Sequence, residues 1–166
     1  MTAELYDKIR EYNPTFDQSR IKKAYDFVLE RYRDTEGDMN YPMKVLEVLL
    51  PIKPDEDTII AVLLHDLYLA ALLNDDLIKN LFGQSVFQIL SALKRLLELN
   101  YAENNKSAQT EVLRKMFLTM AKDIRVILVW LAQRLCKLQN PAFLIGEGDK
   151  LRIAKETMMI YTPIAS

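Results

Sequence analysis

Val62-Leu63-Leu64-His65-Asp66-Leu67-Tyr68-Leu69-Ala70 is the stretch whose reading decides the fold. It contains the only histidine of the protein, followed at once by an aspartate, in a run from Ile59 to Leu73 that is otherwise almost wholly apolar. Apolar residues on every side predict a helix buried around most of its circumference. The run is short for a membrane span and carries a charge at its middle. A carboxylate buried there must be paired, metal-bound or neutralised, because a bare one is costly in low dielectric. His65-Asp66 is therefore either half of a metal site or the polar remnant of one.

On the N-terminal side, Asp55-Glu56-Asp57 places negative charge at the helix start, where the dipole favours it; its simplest reading is a solvated helix end. On the C-terminal side, Asn74 is the expected N-cap of a helix Asp75–Phe82 that Gly83 ends. Val86–Leu99 is amphipathic, with Val86, Ile89, Leu90, Leu93 and Leu97 in register. Upstream, Thr2–Tyr12 reads as a first helix closed by Asn13-Pro14. A second runs from Asp17 to Arg33, with Ile21, Ala24, Tyr25, Val28, Leu29 and Tyr32 on one face. After the polar loop Asp34–Asn40, Tyr41-Pro42 opens a helix over Met43–Leu50, and Pro51 to Pro54 is a linker. Downstream, Tyr101–Ser107 is a solvated loop and the best candidate for disorder. Helices are expected over Gln109–Lys122, Asp123–Leu138 and Leu151–Ile164, with Pro141–Asp149 as a loop.

With 4 Gly, 6 Pro and no convincing strand alternation, the 166 residues predict an all-α protein of one domain, without repeats. The net charge of -1 gives no electrostatic argument for nucleic acid or an anionic membrane. A single cysteine, Cys136, cannot form an internal disulfide, and Met1-Thr2-Ala3-Glu4 lacks the order of a signal peptide. A cytoplasmic protein is expected.

Several blocks carry a family resemblance. Leu64-His65-Asp66 is followed by Leu81-Phe82-Gly83, then by Arg114-Lys115-Met116 and Met120-Ala121-Lys122-Asp123-Ile124-Arg125-Val126-Ile127-Leu128-Val129, then by Leu131-Ala132-Gln133-Arg134-Leu135. In this order they resemble the hydrolase-type HD domain of the RelA/SpoT alarmone enzymes, from about Phe16 to Ser166. The closing Ala154–Ala165 is similar to that family's junction towards its synthetase. A lone His-Asp pair is a weak signal; the ordered set is specific. The resemblance implies a multi-helix HD-domain-like bundle occupying residues 1–166, with a synthetase domain beyond Ser166 in a longer parent protein and this chain a fragment of it.

The family's domain removes the 3′-diphosphate from guanosine tetra- or pentaphosphate with Mn²⁺. The resemblance places the metal on a histidine before proline, on the His-Asp pair and on an aspartate in a Leu-Ala-Asp-Arg-Leu block. An acidic pair just after His-Asp serves the water. Carried over, only His65 and Asp66 remain. The histidine before proline is Tyr41, the last metal aspartate is Gln133, and the acidic pair is Leu69-Ala70. The nucleotide-lining block falls on Cys136-Lys137-Leu138-Gln139-Asn140. A basic-loop arginine lands on Tyr32 without a gap, or on Arg31 or Arg33 with a one-residue slip. Arg33, Lys137 and Asn140 are the candidate nucleotide contacts.

These replacements strike two separate needs. A hard divalent ion wants carboxylate, imidazole and water ligands. A phenol with a pKa of about 10 stays protonated, and Gln133 offers a carbonyl without charge. Leu69 and Ala70 cannot orient water or move a proton. The expectation is a pseudo-hydrolase domain without a cofactor of its own. Its partner would be the synthetase domain of the same chain, with a guanine nucleotide as a candidate effector, and without membrane or nucleic-acid contacts. Asp66 is expected to pair with Arg134 or a neighbour, and Trp130 and Cys136 to be packing residues. The alternatives are a free-standing small alarmone hydrolase with an unusual metal site, and an interaction domain unrelated to nucleotides. Read without the resemblance, His65 would be a satisfied core histidine.

Overall fold

A computed structural model of the chain describes residues 3–33, 39–101 and 123–139 and, between the last two stretches, 110–111, 114–115 and 118; side chains are described except at 97–101. Among the described residues there are seven α-helices and no strand: α1 (Ala3–Tyr12), α2 (Gln18–Tyr32), α3 (Asn40–Leu49), α4 (Glu56–Leu69), α5 (Asp75–Phe82), α6 (Gln84–Tyr101) and α7 (Ile124–Gln139). A 3₁₀ turn, Leu50–Ile52, continues α3. Tyr101, expected to open a loop, is the last residue of α6; the rest of the expected Tyr101–Ser107 loop, most of the Asp34–Asn40 loop, most of Gln109–Lys122, the Pro141–Asp149 loop and the Leu151–Ile164 helix lie outside the described residues.

The His65 helix is the axis of the bundle. Every residue from Thr58 to His65 is buried, as are Leu67 and Tyr68, because α2, α3 and α6 all pack around α4. Each neighbour contributes a stripe at helical spacing. From α2 come Ile21, Ala24, Val28 and Tyr32; from α6 come Val86, Ile89, Leu90, Leu93 and Leu96. Leu29, expected on the inner face of α2, is instead 37% exposed, since it lies a further 100° round the helix from Val28. The fully buried Trp130 of α7 completes the core.

Local chemistry sets most helix ends. Asp17 caps α2 through the amides of Ser19 and Arg20, and Asn74 caps α5 through that of Leu77. Gly83 ends α5 at φ +98°, a conformation that costs glycine nothing. The apolar run to Leu73 overstates α4, which stops at Leu69. There Ala71 adopts φ +60° without being glycine, and the Leu72 and Ala71 amides donate to the Leu67 and Tyr68 carbonyls, both at 3.0 Å. This is a Schellman ending, and it satisfies the last carbonyls at the cost of about 1–2 kcal/mol of backbone strain at Ala71.

The acidic start of α4 is not merely solvated. Arg20 of α2 reaches Asp57 at 2.7 Å and Glu56 at 3.4 Å, and donates to the Phe82 carbonyl at the end of α5 at 2.7 Å. From the first turn of α7, Arg125 reaches Asp55 at 2.9 Å and Asp123 at 2.8 Å. Two arginines thus clasp one helix start to three others. Replacing Arg125 with alanine is expected to lower the unfolding free energy by about 1–3 kcal/mol, because Asp55 and Asp123 lose their counter-charge. Urea midpoints for Arg125→Ala and Arg125→Lys check this, the lysine variant losing less.

Candidate functional site

His65 sits near the C-terminal end of α4 with none of its surface exposed. Its Nδ1 faces the carbonyl of Val62 one turn earlier. A carbonyl can only accept, so Nδ1 carries the proton and Nε2 is left as a bare lone pair. Nε2 is buried and has no hydrogen-bond partner among the described residues. Burial holds the imidazole pKa below its ordinary value, against the Val62 carbonyl and Asp66, which raise it, and with the Lys137 charge, which lowers it further. The ring is therefore neutral at neutral pH.

Four helices converge here. From α3, Tyr41 meets the His65 ring edge-on, centroids 5.6 Å apart at 63°. From α7, the Lys137 ammonium lies 5.6 Å from the centre of the Tyr41 ring. From α2, the Tyr32 hydroxyl donates to Asp66 Oδ2 at 3.3 Å. Asp66 itself comes from α4, so the acceptor expected to engage Arg134 or a neighbour engages a neighbour. The Arg134 guanidinium lies over the Trp130 ring, 4.6 Å from its centre. Gln133 is buried on α7 one turn before Lys137, hence on the same face.

Other sequence-derived positions are placed as follows. Leu69 is half-buried in the last turn of α4, and Ala70 is exposed as its C-cap. Arg33 is exposed as the C-cap of α2, and Arg31 stacks on Phe27 at 4.0 Å. Asn140 lies outside the described residues. Cys136 is fully buried and burial raises its pKa, which is the chemistry of a packing residue. Tyr32 is the contributor that sequence reasoning missed. Its place on the inner face of α2 was legible, but its hydroxyl's partner on another helix was not.

Among the described residues, the side chains around His65 offer few donors to a hard divalent ion. The Nε2 lone pair of His65 is one good ligand, and the Asp66 carboxylate, which already accepts from Tyr32, is a second. Tyr41 presents a ring to the imidazole where a third ligand would be required, and Gln133 brings no charge. Among the described residues no three His, Cys, Asp or Glu side chains gather where an ion could sit.

Comparison with known proteins agrees with this bundle. Residues 21–166 match the HD domain family. The chain belongs to that family. Within it, this HD domain is 34% identical over 98% of its length to the GTP pyrophosphokinase rsh of Brucella melitensis. It is 32% identical over 95% of its length to a GTP pyrophosphokinase of Myxococcus xanthus, and likewise to the bifunctional (p)ppGpp synthase/hydrolase SpoT of Escherichia coli. The HD domain spans only 22–23% of the length of these RelA/SpoT-type relatives. No described helix is long and apolar enough to cross a membrane.

Proposed function

We propose that this HD domain is a pseudo-hydrolase: a folded regulatory partner, in the cytoplasm, for the GTP pyrophosphokinase part of a longer RelA/SpoT-type protein. The observation that carries the reading is the His65 surround. Where the family's chemistry requires a second imidazole, the Tyr41 ring packs edge-on against His65. Where it requires two carboxylates, α4 ends in Leu69 and Ala70. The first replacement removes a metal ligand and the second removes the groups that would orient and deprotonate water. Neither loss compensates for the other. What remains is a densely packed α4 whose His65-Asp66 end lies against Tyr32 and Tyr41, and on this reading the domain acts by restraining or positioning its synthetase neighbour, with a guanine nucleotide as a candidate effector.

The test is direct. Incubated with guanosine tetraphosphate and excess Mn²⁺, the unmodified domain is expected to release no diphosphate above the protein-free background. Excess metal overcomes weak affinity by mass action, so failure of metal loading does not account for a blank result. Robust release of diphosphate overturns the pseudo-hydrolase reading.

A further inference from the structure

We propose that the outward face of α7 is the seam of an antiparallel homodimer, in which Leu135 of each copy closes a cleft beside the first turns of the other copy's α7. The seam owes nothing to the chemistry of His65, which lies two turns of α4 beyond this cleft. Ile124 and Leu135 are 56% and 43% exposed, and the half-buried Leu128 and Leu131 lie between them on the same side of the helix. Leu138 continues the row by one step. Steps of four, three and four residues separate Ile124, Leu128, Leu131 and Leu135, the spacing at which two helices interlock side by side. These steps read the same in both directions. A second α7 laid antiparallel therefore matches the row in register, Ile124 against Leu135 and Leu128 against Leu131. Such a contact is isologous and closes at two copies.

The cleft lies at the Ile124 end of the row. Leu49, Ile52, Pro54 and Leu128 give it apolar walls, and its volume is about 230 Å³. Small-molecule sites run to roughly 300–1,000 Å³, so this one suits an aliphatic side chain better than a nucleotide. Ile52 at its edge is 54% exposed. In the antiparallel register, Leu135 of the second copy arrives at the level of Ile124, one turn from Leu128. Charge favours the same orientation. Lys53 lines the cleft and makes no ion pair among the described residues. The last turn of the second α7, the negative end of its dipole, is brought towards Lys53 and the positive start of the first α7. A parallel pairing would set like helix ends together. A seam of about three helical turns is short, and interfaces below about 1,200 Å² are weak, so the dimer forms as concentration rises.

Sedimentation equilibrium of the 166-residue chain, from micromolar to millimolar concentration, is expected to show monomers passing into dimers. Ile124→Lys and Leu135→Glu, both at exposed positions, are each expected to weaken the dimer at least about tenfold, because each buries an unpaired charge in the seam. Combined in one chain, they are expected to restore it, since the two new charges then meet across the seam. Within one copy they stand about 16–17 Å apart along α7 and cannot pair. Thermal melting at micromolar concentration shows whether the single variants fold. Should either unfold, Leu135→Ala is the milder check, and an unchanged dimer with it overturns the proposal. A monomer at every concentration overturns it too, whatever else covers the face. So does a dimer that survives both single substitutions, or one that the pair together fails to restore.

Discussion

A chain carrying Tyr41→His and Gln133→Asp is expected to bind Mn²⁺ and still release no diphosphate from guanosine tetraphosphate; turnover is expected only when Leu69→Glu and Ala70→Asp are added. The first two changes restore ligands around His65, and so act on metal affinity. The last two act on the water. General acid–base groups contribute about 10²–10⁴-fold in rate, or about 3–5 kcal/mol of barrier, and an aliphatic side chain contributes none of it. Position favours the reversion. Leu69 is half-buried in the last turn of α4, one turn beyond Asp66, and Ala70 is open to solvent as the cap. A carboxylate at a helix C-terminus opposes the dipole by about 0.3–1 kcal/mol, a small penalty beside the catalytic gain. Parallel measurement of Mn²⁺ affinity and diphosphate release along the series checks the order. Turnover with Leu69 and Ala70 still in place would show that the acidic pair is dispensable.

Acidification from pH 7 is expected to destabilise the protein well before its carboxylates titrate, and His65→Asn is expected to abolish that early loss. His65 is the only histidine in the chain, so one group reports alone. Burial holds its folded pKa below the ordinary imidazole value of 6.5 that applies when the chain is unfolded. Between the two values the unfolded chain binds a proton that the folded chain does not, and stability falls as pH falls. The slope approaches about 1.4 kcal/mol per pH unit for one proton. It begins near pH 6.5 and ends where the buried ring finally protonates. The asparagine amide keeps a donor for the Val62 carbonyl but has no proton to gain. Asp123, held low chiefly by the hydrogen bond from Arg125, behaves differently: its stabilisation is lost only as pH drops below the ordinary carboxylate value of 3.8. Asp55 follows the same sign, because Thr58 and Arg125 outweigh its desolvation. Urea titrations at intervals of pH, with and without His65→Asn, separate the two windows. A flat profile in the unmodified protein between pH 6.5 and the carboxylate range would mean that His65 protonates without cost.

How much of this was legible depended on range. The sequence by itself determined the all-α class, the buried α4 and both ends of α5, because caps and stripes are interactions between residues a turn or so apart. Asn74 meets Leu77, and Gly83 meets Lys79, whatever the rest of the chain does. The ordered blocks around His65 and Gln133 also identified the family. Only the tertiary structure decided where α4 ends, since nothing in Leu69-Ala70-Ala71-Leu72 announces a left-handed residue. It alone decided the partners of charge: Tyr32 on Asp66 across 34 residues, Arg125 on Asp55 across 70, and Lys137 over Tyr41. Each successive residue turns 100° around its helix, so a modest rotation of α7 would aim Lys137 away from Tyr41 and bring another side chain over it. That rotation is set by how Trp130 and its neighbours interlock with α3, α4 and α6, which no local stretch of sequence encodes.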